Sequence, residues 1–261
     1  MRESSAGPYG RILGALAATP FPSISYVEGT TSTNADAAAL LGDERFAGHT
    51  IVAEYQSRGA GRRGRTWEAA AGTSLLFSTI LPAAVRTDRL WLVPFWVALA
   101  VRAALKEAGI LTILQWPNDI LAQDRKIAGI LCQSQVTGNL ARVACGVGIN
   151  VVRSGAKATP IEESAAFCED FAPVERPALL EAILRSYAAS LELLDDAPRV
   201  IDLWEAGAGV PGRRYRIQRD GVNEAFDATP ERLEIGGALR VRRDNGKAEV
   251  IEMADARVLR E

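Results

Sequence analysis

The segment between Ser57 and Trp67 constrains the fold of this chain more than any other. It reads SRGAGRRGRTW, with four arginines among three glycines, and lies between two apolar segments typical of strands, 50–55 and 74–81. Glycine allows a positive φ and a close backbone approach, and each guanidinium offers a planar fork of hydrogen-bond donors. The pattern predicts a loop between paired strands that closes over a small anion.

Two other interpretations of this loop are less favourable. Its glycines fit the dinucleotide fingerprint G-x-G-x-x-G, but no helix opens at Gly64 and no acidic residue follows at the required distance. A solvated patch for nucleic acid predicts a basic domain, whereas the chain has a net charge of −2 and a pI of about 5.7. The positive charge is therefore local, which favours the anion-binding loop.

The bulk composition is that of an ordinary globular enzyme. With 261 residues, 48% of them hydrophobic, the chain can form one large domain with a small appendage. Its three cysteines form no C-x-x-C pair, which predicts reduced thiols in a cytoplasmic protein rather than a disulfide framework or a zinc site. The longest apolar segment, 90–101, contains Pro94 and is shorter than the roughly 18 residues of a membrane span. No membrane partner is expected.

The chain divides into three parts by the character of its sequence. Residues 1–20 predict a loosely attached N-terminal arm, 21–209 predict the main domain, and 210–261 predict a small C-terminal β-barrel. The barrel is expected because short alternating segments follow one another, separated by glycines and by an Asp-Asn-Gly turn. These segments span 214–218, 232–235, 238–241 and 248–252.

The main domain mixes strands and helices in an order that predicts the α+β class. Most of the strands follow one another as hairpins, so we expect a mixed, largely antiparallel sheet flanked by helices. The first helix begins with a pair, Thr33 and Asp36, that resembles a capping box. The predicted helices span 33–41, 87–109, 177–194 and 200–207, and the predicted strands span 50–55, 74–81, 110–116, 120–122, 127–133 and 141–149.

Three further sites could carry chemistry. Pro117-Asn118-Asp119 is either a plain turn or a place where a carboxylate holds Mg²⁺ beside the arginines. Lys126 begins a strand in which Gly129 interrupts an apolar run, a pattern typical of close approach by a ligand or another backbone. His49 is the only histidine, and without a partner signal it is interpreted as structural.

Six separated motifs then point to a known family. They read STN at 32–34, AEYQ at 53–56, GAGRRGRTW at 59–67, WPND at 116–119, DRKIAGIL at 124–131 and GVGIN at 146–150. In order and spacing this set resembles the biotin protein ligases. The resemblance implies the catalytic domain of biotin and lipoate ligases, which is similar to class II synthetases, followed by an SH3-like barrel.

What the family resemblance implies for function is a two-step ligase. Biotin and ATP would give biotinoyl-5'-AMP and pyrophosphate, and a lysine of a biotin carboxyl carrier domain of a carboxylase would then take the biotin. Both steps pass through a crowded anionic centre, which calls for fixed cations. ATP and Mg²⁺ are the implied cofactors, and a second copy of the chain or the acceptor could pair with the free sheet edge.

The resemblance also implies residue roles. Lys126 and Arg62 would be the catalytic cations, and Asp119 would serve Mg²⁺. Glycines in the biotin set would leave room for the ligand. The implied biotin contacts are Ser32, Thr33, Asn34, Gln56, Ala60, Gly61, Arg62, Lys126, Gly129 and Gly148. The implied ATP contacts are Arg62, Arg65, Trp67, Asn118 and Asn150.

The sequence departs from the family pattern at three points. Ala60 and Gln115 stand where arginine and lysine are usual, and each removes a positive charge near the site. The short N-terminal stretch leaves no room for a winged-helix domain, so we expect no nucleic-acid partner. The alternatives are a lipoate or octanoate ligase of the same superfamily and a non-catalytic biotin-binding module.

Overall fold

The strands of the larger sheet come from the first 150 residues. A computed structural model describes residues 6–259 except 156–163, 220, 222–223 and 255. The strands in this half of the chain are β1 (Ser23–Val27), β2 (His49–Ala53), β3 (Gly59–Ala60), β4 (Thr66–Trp67), β5 (Ser74–Ile80), β6 (Val85–Arg86), β7 (Ile113–Gln115), β8 (Asp119–Ala122), β9 (Arg125–Thr137) and β10 (Leu140–Asn150).

The larger sheet has the order β1–β2–β5–β10–β9–β8–β7, with β6 paired to the start of β10. β1 runs parallel to β2, and each following pair is antiparallel. The predicted mixed, largely antiparallel sheet is confirmed. Strand β1 was not predicted, and it supplies the parallel pair.

Five helices flank the sheet in the described part of the chain. They are α1 (Leu13–Leu16), α2 (Thr33–Ala39), α3 (Leu92–Glu107), α4 (Arg176–Ser190) and α5 (Ala197–Ala208). α3 is buried along most of its length and ends before Gly109, whose φ of +83° suits a helix C-terminus. It packs against α4, where Trp96 stacks on Tyr187 with 4.7 Å between ring centroids and donates from Nε1 to the carbonyl of Ser190.

The N-terminal segment is part of the core. A 3₁₀ turn at Gly7–Ile12 leads into α1, and Tyr9, Ile12 and Leu16 are buried beside β1 and α4. Burial raises the pKa of Tyr9 to about 12. The expectation of a loosely attached arm is therefore wrong for the described residues of this segment, while the domain boundaries stay a prediction.

The C-terminal part forms a separate antiparallel sheet of five strands. They are β11 (Tyr215–Arg219), β12 (Ala225–Leu233), β13 (Leu239–Arg243), β14 (Ala248–Ile251) and β15 (Ala256–Leu259). Their order in the sheet is β14–β13–β12–β11–β15, and the described residues show no pairing that closes its two edges into a barrel. Trp116 Nε1 donates to the carbonyl of Gly237 at 2.9 Å, which connects this sheet to the end of β7.

Among the residues described, no helix combines the length and the apolar character that a membrane span requires.

The packing of the N-terminal segment gives a stability prediction. Leu16 is fully buried, so Leu16→Ala should lower the free energy of unfolding by about 2–5 kcal/mol. Leu111→Ala is the matched control, because Leu111 is 78% exposed and should change stability by less than about 0.5 kcal/mol. Urea unfolding measures both, and equal effects would contradict the docked segment.

Candidate active site

A cavity of about 130 Å³ lies where the arginine loop, α2 and the β9–β10 pair meet. It brings together residues that are far apart in the sequence, including two from the C-terminal sheet. Its wall consists of Thr33, Asn34, Gln56, Ala60, Gly61, Arg62, Arg63, Arg65, Thr66, Trp67, Ser78, Trp116, Pro117, Asn118, Asp119, Lys126, Gly129, Ile130, Leu131, Gly146, Val147, Gly148, Ala256 and Val258.

The arginine loop is a small hairpin that reaches the C-terminal sheet. β3 and β4 pair in it, and Arg63 at its tip has a φ of 59°. The Arg62 guanidinium donates from Nη1 to Asn118 Oδ1 at 3.4 Å and from Nη2 to the Met253 carbonyl at 2.5 Å. Arg63 donates to the carbonyl of Ala254. The connection between β14 and β15 therefore anchors the loop beside the cavity.

Lys126 carries a positive charge into the same space. It lies at the start of β9, and its ammonium is 2.6 Å from Asp119 Oδ1, with both side chains largely buried. The ammonium also lies 5.3 Å from the ring centroid of Trp67, within the range of a cation–π contact. Lys126 and Arg62 thus both line the cavity, as the predicted catalytic pair requires.

The Trp67 indole fills the space above the glycines of the sheet. A Cβ added at Gly148 would lie 2.6 Å from the ring, and one added at Gly129 would lie 2.8 Å from Lys126 Nζ and 3.0 Å from the ring. A side chain at position 148 would therefore collide with the Trp67 ring, and one at position 129 would displace the end of the Lys126 side chain. The space that we expected the ligand to use at these glycines is occupied by protein side chains in this structure.

Asn34 presents an acceptor to the cavity in a fixed orientation. Its Nδ2 donates to the carbonyl of Leu131 at 3.0 Å, and because that carbonyl can only accept, the amide cannot be reversed. A Cβ added at Gly146 would lie 2.9 Å from Asn34 Cγ, so the strand packs directly under the amide. Asn34 Oδ1 is buried and has no hydrogen-bond partner in the structure.

A hydroxyl network holds the start of α2 against the sheet. Gln56 Oε1 accepts from both the main chain and the hydroxyl of Thr33, at 2.7 and 3.1 Å, and that hydroxyl also lies 2.9 Å from Ser78 Oγ. Asp36 accepts from the hydroxyl of Thr30 instead. The predicted Thr33–Asp36 capping pair is therefore wrong, and Thr33 belongs to the cavity wall.

The predicted magnesium role of Asp119 meets a limited donor set. In the described part of the chain, no cluster of three or more His, Cys, Asp or Glu side chains could hold a metal ion. Asp119 is the one carboxylate in the cavity wall, and Lys126 already neutralises it. These residues do not form a resident Mg²⁺ site.

The structure brings nearly all predicted site residues to the cavity, with two exceptions. Ser32 is buried outside the wall. Asn150 is also outside it, and its Nδ2 donates to the carbonyls of Lys126 and Ala166, both at 3.2 Å. Gln115 is buried on β7 and does not line the cavity, whereas Ala60 does. Of the two departures from the family pattern at positions 60 and 115, only Ala60 therefore changes the wall of the cavity.

His49 has the structural role that the sequence predicts. Its Nδ1 lies 2.8 Å from Ser23 Oγ, its ring packs edge-on against Phe46, and burial lowers its pKa. It does not line the cavity.

Several wall residues carry no sequence motif. Ala256 and Val258 belong to strand β15, which the sequence did not predict. Ser78 lies on β5, which is buried along its whole length, so no alternation of buried and exposed residues indicates its face.

Comparison with known proteins agrees with the fold. Residues 26–150 match the model of the "Biotin/lipoate A/B protein ligase family". The chain is 31% identical to the biotin--[acetyl-CoA-carboxylase] ligase of Paracoccus denitrificans, over 87% of this chain and 96% of that protein. The chain therefore belongs to the biotin/lipoate A/B protein ligase family. Its relative in Mycobacterium tuberculosis, also a biotin--[acetyl-CoA-carboxylase] ligase, is 29% identical over 82% of this chain and 84% of that protein.

A longer relative and a solved structure are also similar to this chain. The bifunctional ligase/repressor BirA of Escherichia coli is 28% identical, and the chain spans about half of that protein, 48% of its length. The biotin protein ligase of Aquifex aeolicus, solved in complex with biotin and ATP, aligns with a TM-score of 0.72 at 21% identity. That alignment covers 92% of this chain and 100% of the other, and it shows the shared fold.

The position of Trp67 can be tested by a double-mutant cycle. Gly148→Ala should lower the free energy of unfolding by about 1–3 kcal/mol, because the new methyl overlaps the indole. In a Trp67→Ala background the same change should be neutral or stabilising, since alanine lowers the entropy of the unfolded strand. Gly14→Ala is the control, because nothing lies within 4 Å of its Cβ position. Identical effects in both backgrounds would place the indole elsewhere.

Proposed function

We propose that this protein attaches biotin to a lysine of a biotin carboxyl carrier domain, using ATP and passing through biotinoyl-5'-AMP. Its membership of the ligase family supports this activity, as do the cations at the cavity. Lipoate or octanoate ligation and non-catalytic biotin binding are the alternatives.

One observation favours biotin over the other acids of the superfamily. Asn34 Oδ1 is a buried acceptor with no partner, and such an atom destabilises the protein by about 1–3 kcal/mol until a donor reaches it. The ureido ring of biotin carries N–H donors, whereas the dithiolane ring of lipoate and the chain of octanoate carry none. A site that requires such a hydrogen bond discriminates strongly against ligands that lack the donor.

The buried indole N–H points to a second ligand group. Trp67 Nε1 has no hydrogen-bond partner in the structure, although it is buried. Since Trp67 lines the cavity beside Lys126, an acceptor on the ligand would satisfy this donor. Nucleotide and acyl-adenylate groups are rich in acceptors. We propose Trp67, Arg65, Asn118 and Asn150 for the nucleotide side of the site.

The two steps require fixed positive charge more than a base. In the first, a biotin carboxylate oxygen bonds to the α-phosphorus of ATP and pyrophosphate leaves. In the second, the carrier lysine nitrogen bonds to the acyl carbon, the bond from that carbon to the AMP oxygen breaks so that AMP leaves, and the nitrogen loses a proton. Lys126 and Arg62 lie where they can stabilise the charge that develops on phosphate oxygens. The remaining predicted biotin contacts stay a proposal.

Magnesium enters this proposal as part of the substrate. Mg²⁺ is usually held by one or two carboxylates together with substrate phosphates and water. Asp119 is the carboxylate in the cavity wall that could meet an incoming Mg²⁺–ATP complex.

The partner site for the acceptor is proposed at the open edge of β9. β8 pairs with β9 up to Gly129, and the Ile130 main chain bonds to Asn118. Beyond Ile130, the described structure pairs β9 with β10 alone, and Val136 is 54% exposed near the hairpin tip. Such an edge can accept a strand from the carrier domain or from a second copy. We propose no nucleic-acid partner and a cytoplasmic location, consistent with the free thiols.

Formation of the adenylate gives the first functional test. Purified protein with biotin, ATP and Mg²⁺ should release pyrophosphate and form biotinoyl-adenylate without any acceptor. Lipoate and octanoate in place of biotin should give much less, because they bring no N–H to Asn34. No release above background with biotin would reject the ligase, and equal release with lipoate would reject the assigned specificity.

Removal of the positive charge of Lys126 gives the second functional test. Lys126→Ala should slow adenylation at least about 100-fold, because an anionic centre loses its charge-assisted partner. Lys106→Ala is the matched control, since Lys106 is exposed on α3. His49→Ala should leave the rate per folded molecule nearly unchanged. Single-turnover pyrophosphate release measures all three, and comparable losses in Lys126→Ala and His49→Ala would show that the chemistry is misassigned.

A further inference from the structure

Two cysteines face each other across the central strand pair. Cys145 on β10 is the direct register partner of Cys132 on β9. The Ile130 main chain bonds to Asn118, on the side of β9 away from β10. Because main-chain groups alternate along a strand, Cys132 also directs its N–H and C=O away from β10.

The cysteine pair is therefore a non-hydrogen-bonded pair of the antiparallel ladder. Such pairs bring their Cα atoms to about 4.5 Å and their side chains closest together. A disulfide accepts Cα separations of about 4.4–6.8 Å and is commonest at about 5.5–6 Å, so this rung can hold one and the two strands move slightly apart when it forms.

The two thiols differ in access. Cys145 is fully buried, and the adjacent Cys132 thiol and burial raise its pKa. Cys132 is half-buried and lines a second cavity of about 380 Å³ behind the active site, next to Arg62 and Asn118. A small oxidant can therefore reach Cys132 first, and Cys145 is already in contact to resolve the product.

The neighbouring rung of the ladder supports Asn34, whose Oδ1 is the proposed hydrogen-bond acceptor for the biotin ureido ring. Leu131 pairs with Gly146 one residue along each strand, on the opposite face of the sheet from the thiols. The Leu131 carbonyl fixes the Asn34 amide, and Gly146 packs under it. A change in twist or spacing at the cysteine rung would therefore act on the atoms that orient Asn34.

We propose that Cys132 and Cys145 form a reversible disulfide on exposure to a hydroperoxide, and that this bond weakens binding of the biotin ureido ring at Asn34. The first part stands on the geometry of the rung alone, and the second rests on the proposed function. The pair is thus an oxidation-sensitive element built into the back wall of the site.

The chemistry balances with hydrogen peroxide as the oxidant. The Cys132 sulfur bonds to one peroxide oxygen, the O–O bond breaks, and the leaving hydroxide takes a proton to become water. The sulfenic acid formed on Cys132 is then attacked by the Cys145 sulfur, the S–O bond breaks, and the second water leaves. Two thiols lose two electrons and two protons, and a dithiol reductant reverses the change.

Mass spectrometry of the intact chain tests the first part. Treatment with hydrogen peroxide should remove two hydrogens and lower the number of thiols titrated in denaturant from three to one, and dithiothreitol should restore both. Cys132→Ser and Cys145→Ser should each abolish the change. Cys168→Ser is the matched control and should retain it, because Cys168 is buried away from the pair with its pKa raised to about 12. Oxidation of Cys132 to a sulfinic acid without a disulfide, or no oxidation, would overturn the proposal.

Calorimetric binding of biotin to reduced and oxidised protein tests the second part. We expect oxidation to weaken binding about five- to tenfold, comparable to the loss of one hydrogen bond. Binding by Cys132→Ser should not respond to peroxide. A disulfide that leaves affinity unchanged would overturn the coupling alone. Failure of the proposed function would appear differently, as absence of biotin binding by the reduced protein, and would remove the coupling while the mass result stands.

Discussion

The pairing of β9 with β10 is the constraint on which the rest of the structure depends. The two strands run in continuous register from Thr137 and Leu140 to Ala128 and Ile149. Alternate residues face opposite sides, so one face presents glycines to the cavity and the other presents apolar side chains to the core under α3. A shift of one residue would exchange the two faces and destroy both the core and the site. Stability and ligand binding therefore rest on the same ladder.

The dimensions of the cavity indicate that ligand binding is accompanied by rearrangement. Its volume of about 130 Å³ is below the roughly 300–1,000 Å³ of sites for small molecules. Trp67 and Lys126 occupy the space over the sheet glycines. A ligand larger than the cavity would have to displace these two side chains, and its acceptors and negative charge would replace the contacts that they lose.

The sequence motifs predict the residues that meet at the cavity better than the connections that complete its wall. The motif residues on β9, β10 and the arginine loop reach one cavity because each lies on a strand or tight turn whose pattern is local. Strand β1 was missed because its partner β2 is parallel and lies more than 20 residues away, so no hairpin marks it. The contacts of Arg62 with Met253 span 191 residues and leave no local signal.

Short polar side chains are the other residues whose contacts the local sequence does not predict. Thr33 is of a residue type that caps helices, yet it is the first residue of α2, and its hydroxyl bonds to Gln56 and Ser78. Asn150, which we propose as an ATP contact, lies outside the cavity wall, where its Nδ2 donates to the carbonyls of Lys126 and Ala166. Both side chains have several partners within reach, and only the tertiary arrangement decides among them.

The anchoring of the arginine loop has a consequence for how this site can evolve. The acceptors for Arg62 and Arg63 in the β14–β15 connection are main-chain carbonyls, which every amino acid carries. These hydrogen bonds therefore do not depend on the side chains at positions 253 and 254, although the Met253 side chain also packs against the core. Insertion or deletion of a residue there would move both carbonyls away from the guanidinium groups. For these hydrogen bonds the constraint on the connection is its length, and a comparison of residue identities among relatives would not detect it.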